Sequence, residues 1–265
     1  MEKALAAGAD ALILDLEDSV AAAAKPEARR HVAEFLNRNA MAPLWVRVNP
    51  LDSAECDRDL AAVLPAHPDG IVLPKAEGGA SVAELARRLT AAGNATAQIL
   101  AIATETAAAI FQLGTYGGHR RLAGLTWGAE DLPAAIGGAT SRQADGSYTA
   151  PYEMVRALCL FGAAAAGVQP IDTVYPAFRD LDGLAAYAAR GRRDGFMGMM
   201  AIHPAQVPVI NAAFTPTAEE VAHARRVVDA FEAHPEAGAL SLDGRMIDRP
   251  HLVQAQRILA AAHGR

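Results

Sequence analysis

Cysteine is nearly absent from this chain. Of 265 residues, only Cys56 and Cys159 carry a thiol. Two dispersed thiols supply neither a disulfide framework nor a zinc cluster, so a reducing, cytoplasmic setting is the expectation. Basic charge is also scarce. Lys and Arg number 24 against 30 Asp and Glu, a net charge of −6, which argues against a nucleic-acid binder. The denser basic groups (Arg29-Arg30, Arg87-Arg88, His119-Arg120-Arg121 and Arg190 to Arg193) read as solvated helix faces or loops. No apolar run reaches membrane-spanning length, so no membrane partner is expected. Glu2, Lys3 and Asp10 interrupt what would be the apolar region of a signal peptide. No glycine-rich phosphate turn follows the first strand, which leaves a dinucleotide-type open sheet unsupported.

What is present is an apolar fraction of 52%, much of it alanine, which favours helices packed closely on a sheet. Short apolar runs alternate with amphipathic, alanine-rich segments. The strand candidates are 11–16, 44–48, 70–73, 99–103, 122–127, 169–174 and 198–202. Helical patterns lie between them at 25–38, 53–63, 82–92, 106–113, 151–166 and 181–190. Continuous apolar strands alternating with helices predict an α/β fold with a buried parallel sheet. A closed (β/α)8 TIM barrel has eight strands, and the chain opens in a helix-like segment, so the first strand is expected to be missing. Residues 1–212 are assigned to the barrel. Residues 213–265 form a C-terminal helical arm in which Thr215 and Pro216 start a helix.

Several of these runs stop at an acid, where barrel enzymes keep their chemistry. Ile99 to Ile102 leads to Glu105, and Gly124 to Thr126 leads to Glu130 and Asp131. Glu105 and Asp131 suit a shared hard cation, with Mg2+ the first choice. Backbone N–H groups of Gly128, Ala129, Glu130 and Asp131 could hold a substrate carboxylate at a helix start. Asp15, Glu17 and Asp18 close the first run, with Asp15 and Glu17 on one face by the period of two. Arg47 lies inside Leu-Trp-Val-Arg-Val, where its permanent charge needs a partner. Either its fork binds a substrate carboxylate or it pairs with Asp15 or Glu17. Lys75 could bind an anion or pair with Glu77. His203, before Pro204, could be a base, although a packed, hydrogen-bonded role is commoner. Asp248 could cap the last helix.

The ordered set resembles the aldolase/citrate lyase superfamily, in particular the citrate lyase beta subunit and its acyl-CoA lyase relatives. The matching stretches are Ala9 through Asp18, Val46-Arg47-Val48-Asn49-Pro50, Val72-Leu73-Pro74-Lys75, Thr104-Glu105-Thr106, Gly128 through Leu132, Ile202 through Gln206 and Gly244 through Pro250. The resemblance implies a TIM barrel in a homo-oligomer, often a trimer. It implies Mg2+ on Glu105 and Asp131, and an oxo-acid held by Arg47. It places His203 near the CoA end and sends Asp248 into a neighbouring subunit's site. The implied reaction cleaves a 3-hydroxyacyl thioester, of citryl-, malyl- or citramalyl-CoA type, on CoA or an acyl carrier. Met199 stands where the family often has lysine. Ser19 follows Asp18 where pyruvate-type aldolases place histidine. A class II aldolase acting on free 2-oxo acids and a non-catalytic thioester-binding subunit are the alternative readings.

Overall fold

A computed structural model describes residues 2–38 and 41–263. The chain divides into two compact units, residues 1–210 and 211–265.

The first unit alternates helix and strand: α1 (Glu2–Leu5), β1 (Leu12–Asp15), α2 (Lys25–Leu36), β2 (Leu44–Arg47), α3 (Ala54–Val63), β3 (Gly70–Leu73), α4 (Gly79–Ala91), β4 (Gln98–Ile102), α5 (Ala107–Ile110), β5 (Leu122–Thr126), α6 (Leu132–Ile136), α7 (Ala150–Ala166), β6 (Gln169–Asp172), α8 (Leu181–Asp194) and β7 (Gly198–Met199), and the boundary at residue 210 falls within α9 (Val207–Phe214). The seven strands form one sheet in sequential order, every pairing parallel. This is the α/β barrel type of architecture that the alternation implies, with seven strands among the described residues.

The sheet buries both faces. Val72, Leu100 and Ile102 form a core on one face, with Ile13, Trp45, Ile171 and Met200 packed against it. Side chains of the other parity, such as Leu14, Val46, Ile71 and Ile99, are equally buried, which is why these strands read as unbroken apolar runs. Gly70 has a packing reason to be glycine, since a Cβ there would lie 2.2 Å from the Trp45 ring. Helices α3 and α5 begin on side-chain caps: Ser53 accepts from the Glu55 N–H and Thr106 from the Ala109 N–H.

Three sequence expectations need correction. The last strand covers only Gly198–Met199; Ile202 and His203 are exposed beyond it. The cap of the helix after residue 215 is Thr217, in a capping box with Glu220, so Pro216 precedes the helix. Arg29 is buried at 8% exposure and pairs with Glu55 and Asp59, so it does not lie on a solvated face.

The second unit is not wholly helical. It consists of α10 (Ala218–Ala233), an antiparallel hairpin of β8 (Ala239–Leu242) and β9 (Arg245–Asp248), and α11 (Arg249–His263). Asp243 and Gly244 both take positive φ, 53° and 74°, as a two-residue hairpin turn requires. Ala224, Val227, Phe231, Ile247 and Ala255 form its core.

Candidate active site

The site is built at the carboxyl ends of β1 to β5. Strand register puts Asp15 opposite Arg47, and the two meet as a fork. Arg47 Nε and Nη2 each donate to a separate Asp15 oxygen at 2.7 Å. Arg47 Nη1 lies 3.0 Å from Glu17 Oε2. Both acids therefore take up the arginine that an apolar strand could not leave unpaired. Burial opposes ionisation of Asp15, but Arg47, Ser19 and the Glu17 N–H outweigh it and hold the carboxyl at about 2. Burial pushes the Glu17 carboxyl above its ordinary value against the pull of Lys75 and Arg47.

Lys75 joins these acids to the second group. Its backbone is left-handed, with φ +50°, a conformation that costs a non-glycine residue about 1–2 kcal/mol. The twist lets one residue serve two carboxylates. The Lys75 N–H donates to Glu105 Oε2 at 2.6 Å, and Nζ donates to Glu17 Oε1 at 2.7 Å. Nζ is also 3.9 Å from Asp18 and from Asp131. The alternative pairing with Glu77 does not form; Glu77 accepts from Thr106 Oγ1 at 2.6 Å.

Glu105 is 4% exposed. Burial raises its carboxyl to about 7, and the nearby Glu17 and Asp131 carboxylates add to the rise, while the Lys75 N–H opposes it. Gly128 leaves the room for this side chain: a Cβ there would sit 2.8 Å from Glu105 Cγ and 3.3 Å from Oε1. Asp131 precedes α6 but makes no capping hydrogen bond, and its side chain is 39% exposed. A buried acid with a raised pKa beside further carboxylates is a place where a divalent cation relieves repulsion. Among the described residues, no three His, Cys, Asp or Glu side chains converge on a metal position. Mg2+ fits that donor set, because it is commonly held by one or two carboxylates with water and substrate oxygens completing the shell.

The backbone from Gly128 onward is less open than an anion cradle. The Gly128 N–H is committed to Thr104 Oγ1 at 3.0 Å, Ala129 is buried and Glu130 is exposed. His203 caps a short 3-10 turn: its Nδ1 accepts from the Ala205 N–H at 3.1 Å, and its ring stacks on Phe178. Met199 ends the short β7. In the second unit, Asp248 bonds His251 Nδ1 at 2.5 Å, and this contact holds its carboxyl below the ordinary range.

Two buried networks were missed from sequence. Asp172, fully buried at the end of β6, accepts from Trp127 Nε1 at 2.7 Å and from Arg156 Nη2 at 2.6 Å. It thereby anchors the residue before Gly128. Its signal was an acid inside the strand candidate 169–174, where a buried charge needs a partner. The other network links Lys25, Asn49, Asp59 and Arg29 behind β1 and β2.

Comparison with known proteins gives consistent matches. A family model described as HpcH/HpaI aldolase/citrate lyase matches residues 1–204. A citrate lyase subunit beta-like protein of Mycobacterium tuberculosis is 39% identical over 259 residues, covering 97% of this chain and 89% of that protein. A (3S)-malyl-CoA thioesterase of Cereibacter sphaeroides is 34% identical over 270 residues, covering 99% and 90%. The crystal structure of CitE from Mycobacterium tuberculosis in complex with magnesium, acetoacetate and coenzyme A superposes with a TM-score of 0.81 at 37% identity, covering 99% of this chain and 92% of that one.

Proposed function

The chain belongs to the HpcH/HpaI aldolase/citrate lyase family, and on that footing we propose that it is a Mg2+-dependent carbon–carbon lyase. Its substrate is a 3-hydroxyacyl thioester of the citryl-, malyl- or citramalyl-CoA type, and its products are an oxo-acid and a shorter acyl thioester. The observation that carries this reading is the convergence of Arg47, Lys75, Glu17, Glu105 and Asp131 at one end of the sheet. The ligands of the similar CitE structure, magnesium with acetoacetate and coenzyme A, support the same substrate chemistry.

Glu105 and Asp131 hold the metal in this reading. When bound, Mg2+ supplies positive charge to the hydroxyl oxygen as it becomes the ketone oxygen. Arg47 binds the oxo-acid carboxylate while Asp15 and Glu17 fix its plane. Glu17 takes the hydroxyl proton on Oε2, which is buried and ion-paired with Arg47 Nη1 at 3.0 Å but accepts no well-aligned hydrogen bond. The bond between the α and β carbons then breaks, leaving a thioester enolate that needs a proton on carbon. Asp248 from a neighbouring copy, in a homotrimer, is the donor we assign. Beside His251 that carboxyl is ionised at neutral pH, so donation requires assembly to change its surroundings. Gly128, Ala129 and Glu130 border the oxo-acid, and His203 lies toward the thioester end.

One observation favours a second reading. The relatives include (3S)-malyl-CoA thioesterases, which suggests hydrolysis of the thioester. The test is to incubate the protein with citryl-, malyl- and citramalyl-CoA, with Mg2+ or EDTA, and to separate the products. An oxo-acid appearing with a shorter acyl-CoA, only with Mg2+, supports the lyase. Hydroxy-acid appearing with free CoA supports the thioesterase and overturns the lyase reading.

A further inference from the structure

Lys25 is the first residue of α2, where the positive end of the helix disfavours a cation. Its ammonium nevertheless points back toward the end of β1. Nζ donates to the carbonyl of Leu16 at 2.8 Å, the carbonyl of Glu17 at 3.0 Å and Asn49 Oδ1 at 2.8 Å. An ammonium has three donors, and each meets one oxygen here. Asn49, two residues past β2, closes the same bridge, because its Nδ2 donates to the Leu16 carbonyl at 2.9 Å and to Asp59 Oδ2 at 2.6 Å. One helical turn after Lys25, Arg29 Nε donates to Asp59 Oδ1 at 2.7 Å. A single face of α2 thus grips the ends of both β1 and β2. The segment between Glu17 and Lys25 is otherwise held only by local bonds, from the Ser19 N–H to Asp15, the Val20 N–H to the Glu17 carbonyl and the Ala24 N–H to the Ala21 carbonyl. Asp18, Ser19 and Ala21 to Ala24 are exposed.

We propose that Lys25 is a positioning residue for the lyase site: it fixes the backbone of Leu16 and Glu17, so that the Glu17 carboxylate stays between Arg47 and Lys75. This rests on the lyase reading for its catalytic consequence, but the brace itself does not. Methionine at this position keeps the stem length and removes all three donors. The Leu16 carbonyl then keeps only Asn49 Nδ2 at 2.9 Å, and the Glu17 carbonyl only the Val20 N–H at 3.1 Å. Arg47 loses a fixed partner at Nη1, and oxo-acid binding weakens more than CoA binding.

The test uses Lys25→Met and Lys25→Cys in the full chain. Hydrogen–deuterium exchange is read peptide by peptide, alongside binding of oxaloacetate with Mg2+ and of CoA alone. The expected result is at least tenfold faster exchange confined to residues 14–20, and at least tenfold weaker oxaloacetate binding with CoA affinity within twofold. Aminoethylation of the K25C protein restores an ammonium on a side chain of lysine length, and the native thiols Cys56 and Cys159 are both buried. This treatment should return exchange and oxaloacetate affinity to within threefold of the parent. Unchanged exchange at 14–20 in K25M, or no recovery on aminoethylation, overturns the proposal. Should K25M not fold, the K25C protein before and after aminoethylation decides alone. If the parent binds none of oxaloacetate, glyoxylate and pyruvate with Mg2+, the lyase reading fails separately, and the exchange result still decides whether the brace exists.

Discussion

Mg2+ and a proton compete for Glu105, and the competition can be worked out from its surroundings. Burial, with Glu17 and Asp131 nearby, raises the carboxyl from 4.5 to about 7 in the metal-free protein. A ligand carboxylate must be ionised, so apparent metal affinity scales with the ionised fraction. For a group titrating near 7, that fraction is about one-tenth at pH 6 and about nine-tenths at pH 8. The apparent Kd for Mg2+ should therefore fall about tenfold from pH 6 to pH 8. Asp15, at about 2, stays ionised throughout and does not contribute. Stability follows with a definite sign. A carboxyl raised on folding favours the native state below its unfolded value, and that advantage is lost as pH rises through the folded value. The interval from 4.5 to about 7 corresponds to about 3 kcal/mol. Metal-free protein should lose roughly that much between pH 4.5 and 7, and Mg2+ should raise Tm more at pH 8 than at pH 6. Calorimetric titration in buffers of different ionisation enthalpy reads both Kd and proton release. A Kd constant within twofold from pH 6 to 8, with no proton released, refutes the reasoning.

Gly128→Ala puts a Cβ 2.8 Å from Glu105 Cγ; overpacking of about 1–3 kcal/mol should appear as weaker Mg2+ binding with normal circular dichroism, checked by calorimetry. Asp131→Ala should abolish Mg2+-dependent oxo-acid release while leaving Tm near that of the parent, as measured by a coupled assay and thermal melts. Arg47→Lys should raise KM at least tenfold, because one ammonium cannot reproduce the two 2.7 Å bonds to Asp15 and also face a substrate carboxylate; steady-state kinetics decide it. Asp172→Ala leaves Arg156 buried without its main partner, costs about 3–5 kcal/mol and should lower Tm by roughly 6–20 °C in a thermal melt.

The central strands were legible because β3 and nearly all of β4 are buried at both parities and therefore read as apolar runs. The final strand was overextended, because Ile202 continues an apolar run but is exposed and its N–H turns to Gln206 Oε1 at 2.9 Å. Arg47 could be read as paired because a guanidinium cannot shed its charge inside a strand, and the parallel register supplied Asp15. Lys75 could not be read. Its two-sided contact depends on a positive φ that nothing in Leu-Pro-Lys-Ala announces. Asp172 lay inside the strand candidate 169–174 as an acid in need of a partner, but nothing adjacent in sequence suggested a role. Lys25 looked like an ordinary first-turn lysine; only its orientation against the helix end distinguishes it. The hairpin of the second unit was present as Asp243-Gly244, yet its flanking strands are half exposed and lack the apolar runs that marked the sheet.

The account stands on Glu105, Asp131 and Arg47 forming one metal and oxo-acid site. The most direct measurement is a crystal structure of the protein with Mn2+ in place of Mg2+ and with oxaloacetate, collected for anomalous scattering. The expected result is one anomalous peak bonded to Glu105 and Asp131, with the oxo-acid between that peak and Arg47. A peak bonded to neither carboxylate, or oxaloacetate bound away from Arg47, would contradict it.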